Sequence, residues 1–360
     1  MKRVLNFSPG PATLPVAVLE EASRGVLEIA GSGMSVLEVS HRGKEYEAIH
    51  AEAQKRLLSL LELDPKDYAA MFLGGGASLQ FAMLPANFLA PGKTADYVHT
   101  GEWSIKAIQE AKLYGGVNVV ASSEDKKFSY IPKNVKFSPG AAYAHITTNN
   151  TIEGTQWSQI PDTYGVPLVA DVSSDFLSRK LDNTQFSMTY AGAQKNAGPA
   201  GVTLIVAKRS FLESAQTENL AKILSYKTHF KADSLYNTPP AFNIYVAGLV
   251  FKWIENQGGV EAVEKVNRQK AGVIYEALDS APGIYDMPVP NPEDRSQMNI
   301  VFRLKDNARE EDFVRRAREA GMDGIKGHRS VGGFRASVYN AFPLEGAQTL
   351  AKFIREFAKG

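Results

Sequence analysis

Cysteine is absent from all 360 residues. That excludes a disulfide framework, thiolate metal ligands and a cysteine nucleophile, and no metal site is expected. An excess of one charge is also lacking. The 40 basic and 39 acidic residues leave a formal net charge of +1. Such a balance forces no strongly basic face, so nucleic acid is not an expected partner. Long apolar runs are missing too. Met1 to Phe7 contains none, which argues against a signal peptide. No stretch reaches the ~18 apolar residues that cross a bilayer. The expectation is a soluble, cytoplasmic protein with no membrane partner.

What is present is enough apolar sequence, 44% of the chain, for more than one small core. At ~100–200 residues per domain, a large and a smaller lobe are expected. After the breaker-rich Asn6-Phe7-Ser8-Pro9-Gly10-Pro11, helices are predicted over Val16 to Ala30 and Lys44 to Leu63, the second stopped by Pro65. Short apolar runs then alternate with helical stretches. The runs are Tyr68 to Leu73, Ala95 to His99, Val117 to Ala121, Ala142 to Thr147, Pro167 to Val172, Met188 to Ala191 and Val202 to Ala207. Helices are predicted between them over Ser78 to Leu89 and Ser104 to Tyr114. This alternation predicts an α/β fold, with a mostly parallel sheet covered by helices on both faces. Helices follow over Ala241 to Asn256 and Val260 to Leu278. A smaller α+β pattern closes the chain: strand Met298 to Leu304, helix Arg309 to Ala320, strand Phe334 to Tyr339 and helix Leu344 to Lys359. The boundary is expected near Asn256, giving a large domain over 16–256 and a small one over 257–360 joined by residues 1–15.

Asp171 ends the buried-looking run Pro167-Leu168-Val169-Ala170-Asp171. Ligands of parallel sheets bind at the carboxyl ends of strands, and a carboxylate there needs a positive partner. The competing reading is an ordinary helix cap. Lys195 follows the next run, among the small residues Ala191, Gly192, Ala193, Ala197 and Gly198. A lone lysine is usually a solvated surface group. One set among small residues, behind a strand that supplies an acid, can lose its proton and form a Schiff base with an aldehyde cofactor. An acid and a lysine on neighbouring strand ends suit pyridoxal 5'-phosphate (PLP), whose pyridine nitrogen the acid would hold protonated. Leu73-Gly74-Gly75-Gly76-Ala77-Ser78 offers a phosphate seat, because glycines bare the backbone N–H groups at a helix start. It matches neither a dinucleotide fingerprint nor a P-loop, and such turns also serve packing. Trp103, at another strand-to-helix junction, could stack on a flat ring, or be a half-buried core residue. There are only 6 histidines, and two precede arginines in glycine-bounded loops, His41-Arg42 and His328-Arg329. Bidentate arginines suit anionic substrates better than a surface salt bridge explains the repeated pairing.

Several of these segments together resemble one family. They are Asn6 to Pro11, Glu38-Val39-Ser40-His41-Arg42, Gly75 to Phe81, Ala191 to Gly198, Tyr236-Asn237-Thr238-Pro239-Pro240, Gly327 to Gly333 and Arg335 to Ala341. The chain resembles, over essentially its whole length, the phosphoserine aminotransferases, in the class V group of fold-type I PLP-dependent transferases. The resemblance implies that Lys195 carries PLP and Asp171 pairs with its ring nitrogen. Trp103 would stack on the ring, and Thr151 would bond its phenolic oxygen. Ala77, Ser78 and Gln194 would hold the phosphate, with Asn237 and Thr238 arriving from the other subunit of a homodimer. Arg335 would bind the substrate α-carboxylate. His41, Arg42, His328 and Arg329 would bind the distal phosphate or carboxylate. The implied reaction is reversible transamination of 3-phosphooxypyruvate with L-glutamate, giving O-phospho-L-serine and 2-oxoglutarate. Whether the longer phosphorylated keto acid of pyridoxine biosynthesis is also a substrate stays open. The nearest alternative is another class V aminotransferase of the alanine–glyoxylate type. A cysteine desulfurase is excluded by the absent cysteine. Pro9 stands where the family often has serine or alanine, and without an N–H it offers only its carbonyl and ring.

Overall fold

The computed structural model describes residues 3–29, 31–216 and 218–360. Its centre is a seven-stranded sheet. Across the sheet the order is Tyr68–Leu73, Thr203–Lys208, Met188–Gly192, Leu168–Asp171, Ala144–Thr147, Thr94–His99 and Gly116–Ser122. Only Thr203–Lys208 runs against its neighbours; the other six strands share one direction.

The sheet is apolar on both faces because successive side chains point to opposite sides. In Tyr68–Leu73, Ala70 and Phe72 face one core, with Leu57, Val246 and Val250. Ala69, Met71 and Leu73 face the other, with Phe81, Leu84 and Ile108. Helices Lys44–Leu60 and Ala241–Asn256 supply the first covering layer, and Gly76–Phe88 and Glu102–Ala111 the second. Burial on both faces is why these strands read as unbroken apolar runs.

A separate core lies toward the end of the chain. Three antiparallel strands run in the order Tyr285–Asp286, Asn299–Leu304, Phe334–Ser337. Helices Gly259–Asp279, Glu310–Glu319 and Leu344–Ala358 accompany them. Phe302, Phe313, Phe334, Phe353 and Phe357 fill this core, and Phe7 from the start of the chain joins it. Leu5–Asn6 pairs in parallel with Met322–Asp323, so the first described residues are stitched to the C-terminal part.

Several expected boundaries shift. The second helix stops at Leu60, not Leu63, because the chain turns at Leu61 and Glu62 takes a left-handed conformation with φ 56°. The glycine-loop helix starts at Gly76, before Ser78, and the next ends at Ala111, before Tyr114. The strand expected to reach Tyr339 ends at Ser337. The first helix runs Val16–Leu27; its expected end at Ala30 lies outside the described residues, as do residues 1 and 2 of the expected 1–15 segment. Among the described residues no helix is long and apolar enough to cross a membrane.

One buried amine joins helix Gly259–Asp279 to the turn after strand Phe334–Ser337. Lys270 is fully buried in Gly259–Asp279. Its Nζ donates to the carbonyls of Tyr339, at 2.6 Å, and Phe342, at 3.1 Å. Lys270→Met keeps the stem but takes away the bond to the Phe342 carbonyl and leaves the Tyr339 carbonyl with only the Phe342 N–H. It should lower the free energy of unfolding by on the order of 3 kcal/mol, read from urea denaturation. An unchanged midpoint would mean that these bonds contribute nothing net.

Candidate active site

Leu73, His99, Thr147, Asp171 and Gly192 are carboxyl ends of strands that share one direction. The turns after them therefore meet along one edge, where ligands of parallel sheets bind. There they surround a cavity of about 270 Å³. Ala77, Ser78, Trp103, Thr151, Asp171, Gln194 and Lys195 line it from the sheet side. His328 and Arg335 close it from the C-terminal part, and Pro9 and Gly10 from the start of the chain.

Lys195 lies in the connection from Met188–Gly192 to the antiparallel strand Thr203–Lys208. Its Nζ donates to Thr151 Oγ1 at 2.9 Å and sits 5.7 Å from the centre of the Trp103 ring. Burial lowers its pKa to about 8, against an upward pull from Asp171 and a downward push from Arg335. Asp171 is 5% exposed. Burial raises its pKa, and the Lys195 charge and the Ser173 N–H, 2.9 Å from Oδ1, draw it back. The two groups are thus neighbours in charge as well as in space.

The glycine turn is built for an anion. Gly75 and Gly76 have φ 84° and φ 64°, a region that favours glycine. A Cβ on Gly75 would stand 2.5 Å from Leu79. The turn opens helix Gly76–Phe88, whose first N–H groups, including those of Ala77 and Ser78, lack partners within the helix. Trp103 is set by a different device. Ser104 Oγ accepts the N–H groups of Thr100 and Gly101, each at 3.0 Å, and fixes the start of its helix. Glu153 accepts the Glu102 N–H at 2.8 Å, and burial pushes its carboxyl up to about 7.

Three polar atoms around the cavity are buried and have no hydrogen-bond partner among the described residues: Trp103 Nε1, Thr147 Oγ1 and Arg335 Nε. Buried polar atoms are rarely left so. With the bare helix start, the flat ring and the amine–acid pair, they fit a planar, phosphorylated aldehyde cofactor. A larger hollow of about 360 Å³ beside Gly259 makes no such offer. Its Arg179 is paired with Asp175 and its Lys180 with Glu62.

A profile of the aminotransferase class-V family matches residues 4–350. A phosphoserine aminotransferase of Desulfosudis oleivorans is 52% identical over 360 residues, 99% of each chain. The chain belongs to the class V aminotransferases, among the phosphoserine aminotransferases. A solved phosphoserine aminotransferase of Bacillus circulans subsp. alkalophilus superposes with TM-score 0.97 at 48% identity, covering 100% of this chain and 99% of its own. Another, from Trichomonas vaginalis and bound to PLP, has TM-score 0.92 at 39% identity, covering 98% and 100%.

Against that family, the sequence-predicted residues divide. The cavity gathers Ala77, Ser78, Trp103, Thr151, Asp171, Gln194, Lys195, His328 and Arg335. His41, Arg42, Asn237, Thr238 and Arg329 are not among its lining residues; Arg42, Asn237, Thr238 and Arg329 are exposed in the single chain. Thr147, Asn149, Ser173 and Ser174 also line it and were missed. Thr147 and Ser173 adjoin strand ends, a position that could have flagged them.

The charge pair gives a test in the cofactor-free protein. Labelling of Lys195 by an amine-reactive reagent, mapped by peptide mass spectrometry, should reach half its limiting rate near pH 8, not near the ~10.4 of a free lysine. Asp171→Asn removes the charge that raises this pKa, so the midpoint should fall further. A midpoint that stays near that of surface lysines would contradict the arrangement.

Proposed function

We propose that the chain catalyses reversible transamination between L-glutamate and 3-phosphooxypyruvate, giving 2-oxoglutarate and O-phospho-L-serine, with PLP held by Lys195. The observation that carries this reading is a single cavity lined by an acid–amine pair, an aromatic ring, a bare helix start and a buried arginine. Family membership across nearly the whole chain supports it. When bound, PLP supplies an aldehyde that links to amines and a protonated ring that takes up the electron pair left at the substrate Cα.

The chain's own residues do the rest. Lys195 Nζ would hold the cofactor and be freed when the substrate amine takes its place. With its depressed pKa the freed amine is able to take a proton from the substrate Cα and hand it on. Asp171 holds the ring nitrogen in its protonated form, which also gives the buried carboxylate its positive partner. Trp103 would stack against the ring and limit its tilt. Thr151, which accepts from Lys195, would bond the phenolic oxygen. Ala77, Ser78 and Gln194 hold the phosphate. Arg335, which also donates to the Thr151 carbonyl at 3.3 Å, takes the substrate α-carboxylate.

The distal anion falls to His41, Arg42, His328 and Arg329. Of these only His328 lines the cavity of one chain. A homodimer that brings in residues from a second copy accounts for the rest, with Asn237 and Thr238 completing the phosphate seat. Exposed apolar side chains on the same stretch of chain as Arg42, including Leu27, Met34 and Leu37, support such a contact. The large unit is taken as residues 16–256 and the small one as 257–360 with 1–15, a division that the separate phenylalanine-rich core supports.

A coupled assay with glutamate should show turnover of 3-phosphooxypyruvate well above that of pyruvate or glyoxylate. Arg42→Ala and Arg329→Ala should each lower kcat/KM for the phosphorylated substrate about 10- to 100-fold, the effect of losing a charged hydrogen bond, and lower it far less for glyoxylate. Equal losses on all substrates would make these arginines structural. Preference for glyoxylate would favour the alanine–glyoxylate type.

A further inference from the structure

The start of the chain crosses the mouth of the cavity as a strap anchored at both ends. On one side Phe7 is buried among the C-terminal phenylalanines, 4.5 Å from the Phe342 ring centre. Its N–H donates to the Asp323 carbonyl at 2.8 Å, and its own carbonyl accepts from Ser337 at 3.2 Å. On the other side the Ala12 N–H donates to the Gln194 carbonyl at 2.9 Å. Between these anchors Gly10 lies against the lysine itself. A Cβ added to it would stand 3.4 Å from Lys195 Cγ and 3.3 Å from Gln194 Cγ.

Between the anchors Pro9 has one polar group able to hold it, its carbonyl, since proline has no N–H. That carbonyl accepts the Tyr339 hydroxyl at 2.8 Å. The Tyr339 ring is buried, and its oxygen in turn accepts Asn299 Nδ2 at 3.0 Å. Asn299 Oδ1 accepts Asn149 Nδ2 at 2.8 Å, and Asn149 lines the cavity. The next residue, Asn340, donates its N–H to Asn196 Oδ1 at 2.9 Å. Two consecutive residues thus grip both flanks of Lys195, one through the strap and one through Asn196.

We propose that Tyr339 is a positioning residue for the reaction: its hydroxyl holds the Pro9 carbonyl and so seats the Pro9–Gly10 strap on the Lys195 side chain. The strap limits the paths open to the Lys195 stem and covers it from water. The proposal rests on Lys195 being the lysine that carries the cofactor.

Tyr339→Phe removes the O–H and leaves the ring. In the cofactor-free protein, amide exchange of Ala12 and its neighbours in 8–13 should speed up roughly tenfold, the loss of one buried bond. Exchange in the helices around Ile274 and Leu350 should not change. In the holoenzyme kcat should fall about five- to tenfold, with KM for glutamate and for the phosphorylated keto acid within about twofold. Unchanged exchange in 8–13 would overturn the proposal. So would equal acceleration in the helices, which would make the bond a general structural one, and so would a loosened strap with unchanged kcat. The exchange arm needs no cofactor, so it fails separately from the assignment of Lys195, which would fail instead if Lys195→Ala kept full turnover.

Discussion

A carboxylate and an amine are held side by side at the carboxyl edge of the central sheet, and each sets the charge of the other. Burial alone would neutralise both. Asp171 is drawn back toward its anion by Lys195, and Lys195 toward its cation by Asp171. Arg335 pushes the other way, and the amine titrates at about 8, below the ~10.4 of a free lysine. It is then basic enough to take a proton and free enough of charge to attack an aldehyde. Remove the sheet edge and the pair becomes two solvated surface groups with ordinary titration.

Everything around the pair serves to hold it. The parallel strands bring five chain turns to one edge. Glycines at 75 and 76 leave backbone N–H groups bare where an anion can sit. The C-terminal core contributes the opposite wall through His328 and Arg335, and its Tyr339 reaches back to the first residues of the chain. Catalytic geometry on this plan depends on contacts between parts far apart in sequence: Tyr339 with Pro9, Asn340 with Asn196, Asn299 with Asn149. Such a site is held from three sides by different parts of the chain.

The sheet was legible because most of its strands are buried on both faces, while the edge strand Gly116–Ser122 is partly exposed. Tyr68–Leu73 and Thr203–Lys208 stand close to where their apolar runs suggest. The order of strands and the reversed direction of Thr203–Lys208 were not, since pairing is non-local. Short elements escaped as well. The two-residue strands Asn149–Asn150 and Thr155–Gln156 and the six-residue helix Tyr226–Lys231 are too brief for any periodicity to register. Asp171 and Lys195 could be read as a pair because both follow strands among small or apolar neighbours. Tyr339 could not, because it sits in a run that reads as ordinary buried strand and its one functional bond crosses 330 residues. Pro9, read from the sequence as offering only its carbonyl and ring, uses that carbonyl.

All of this chemistry requires Lys195 to be the residue that carries the cofactor. Borohydride reduction of the holoenzyme, followed by peptide mapping, tests this directly. A pyridoxyl phosphate mass on the peptide containing Lys195, and on no other lysine, is the result expected. The same mass on a different lysine, or a protein that takes up no such mass at all, would contradict it.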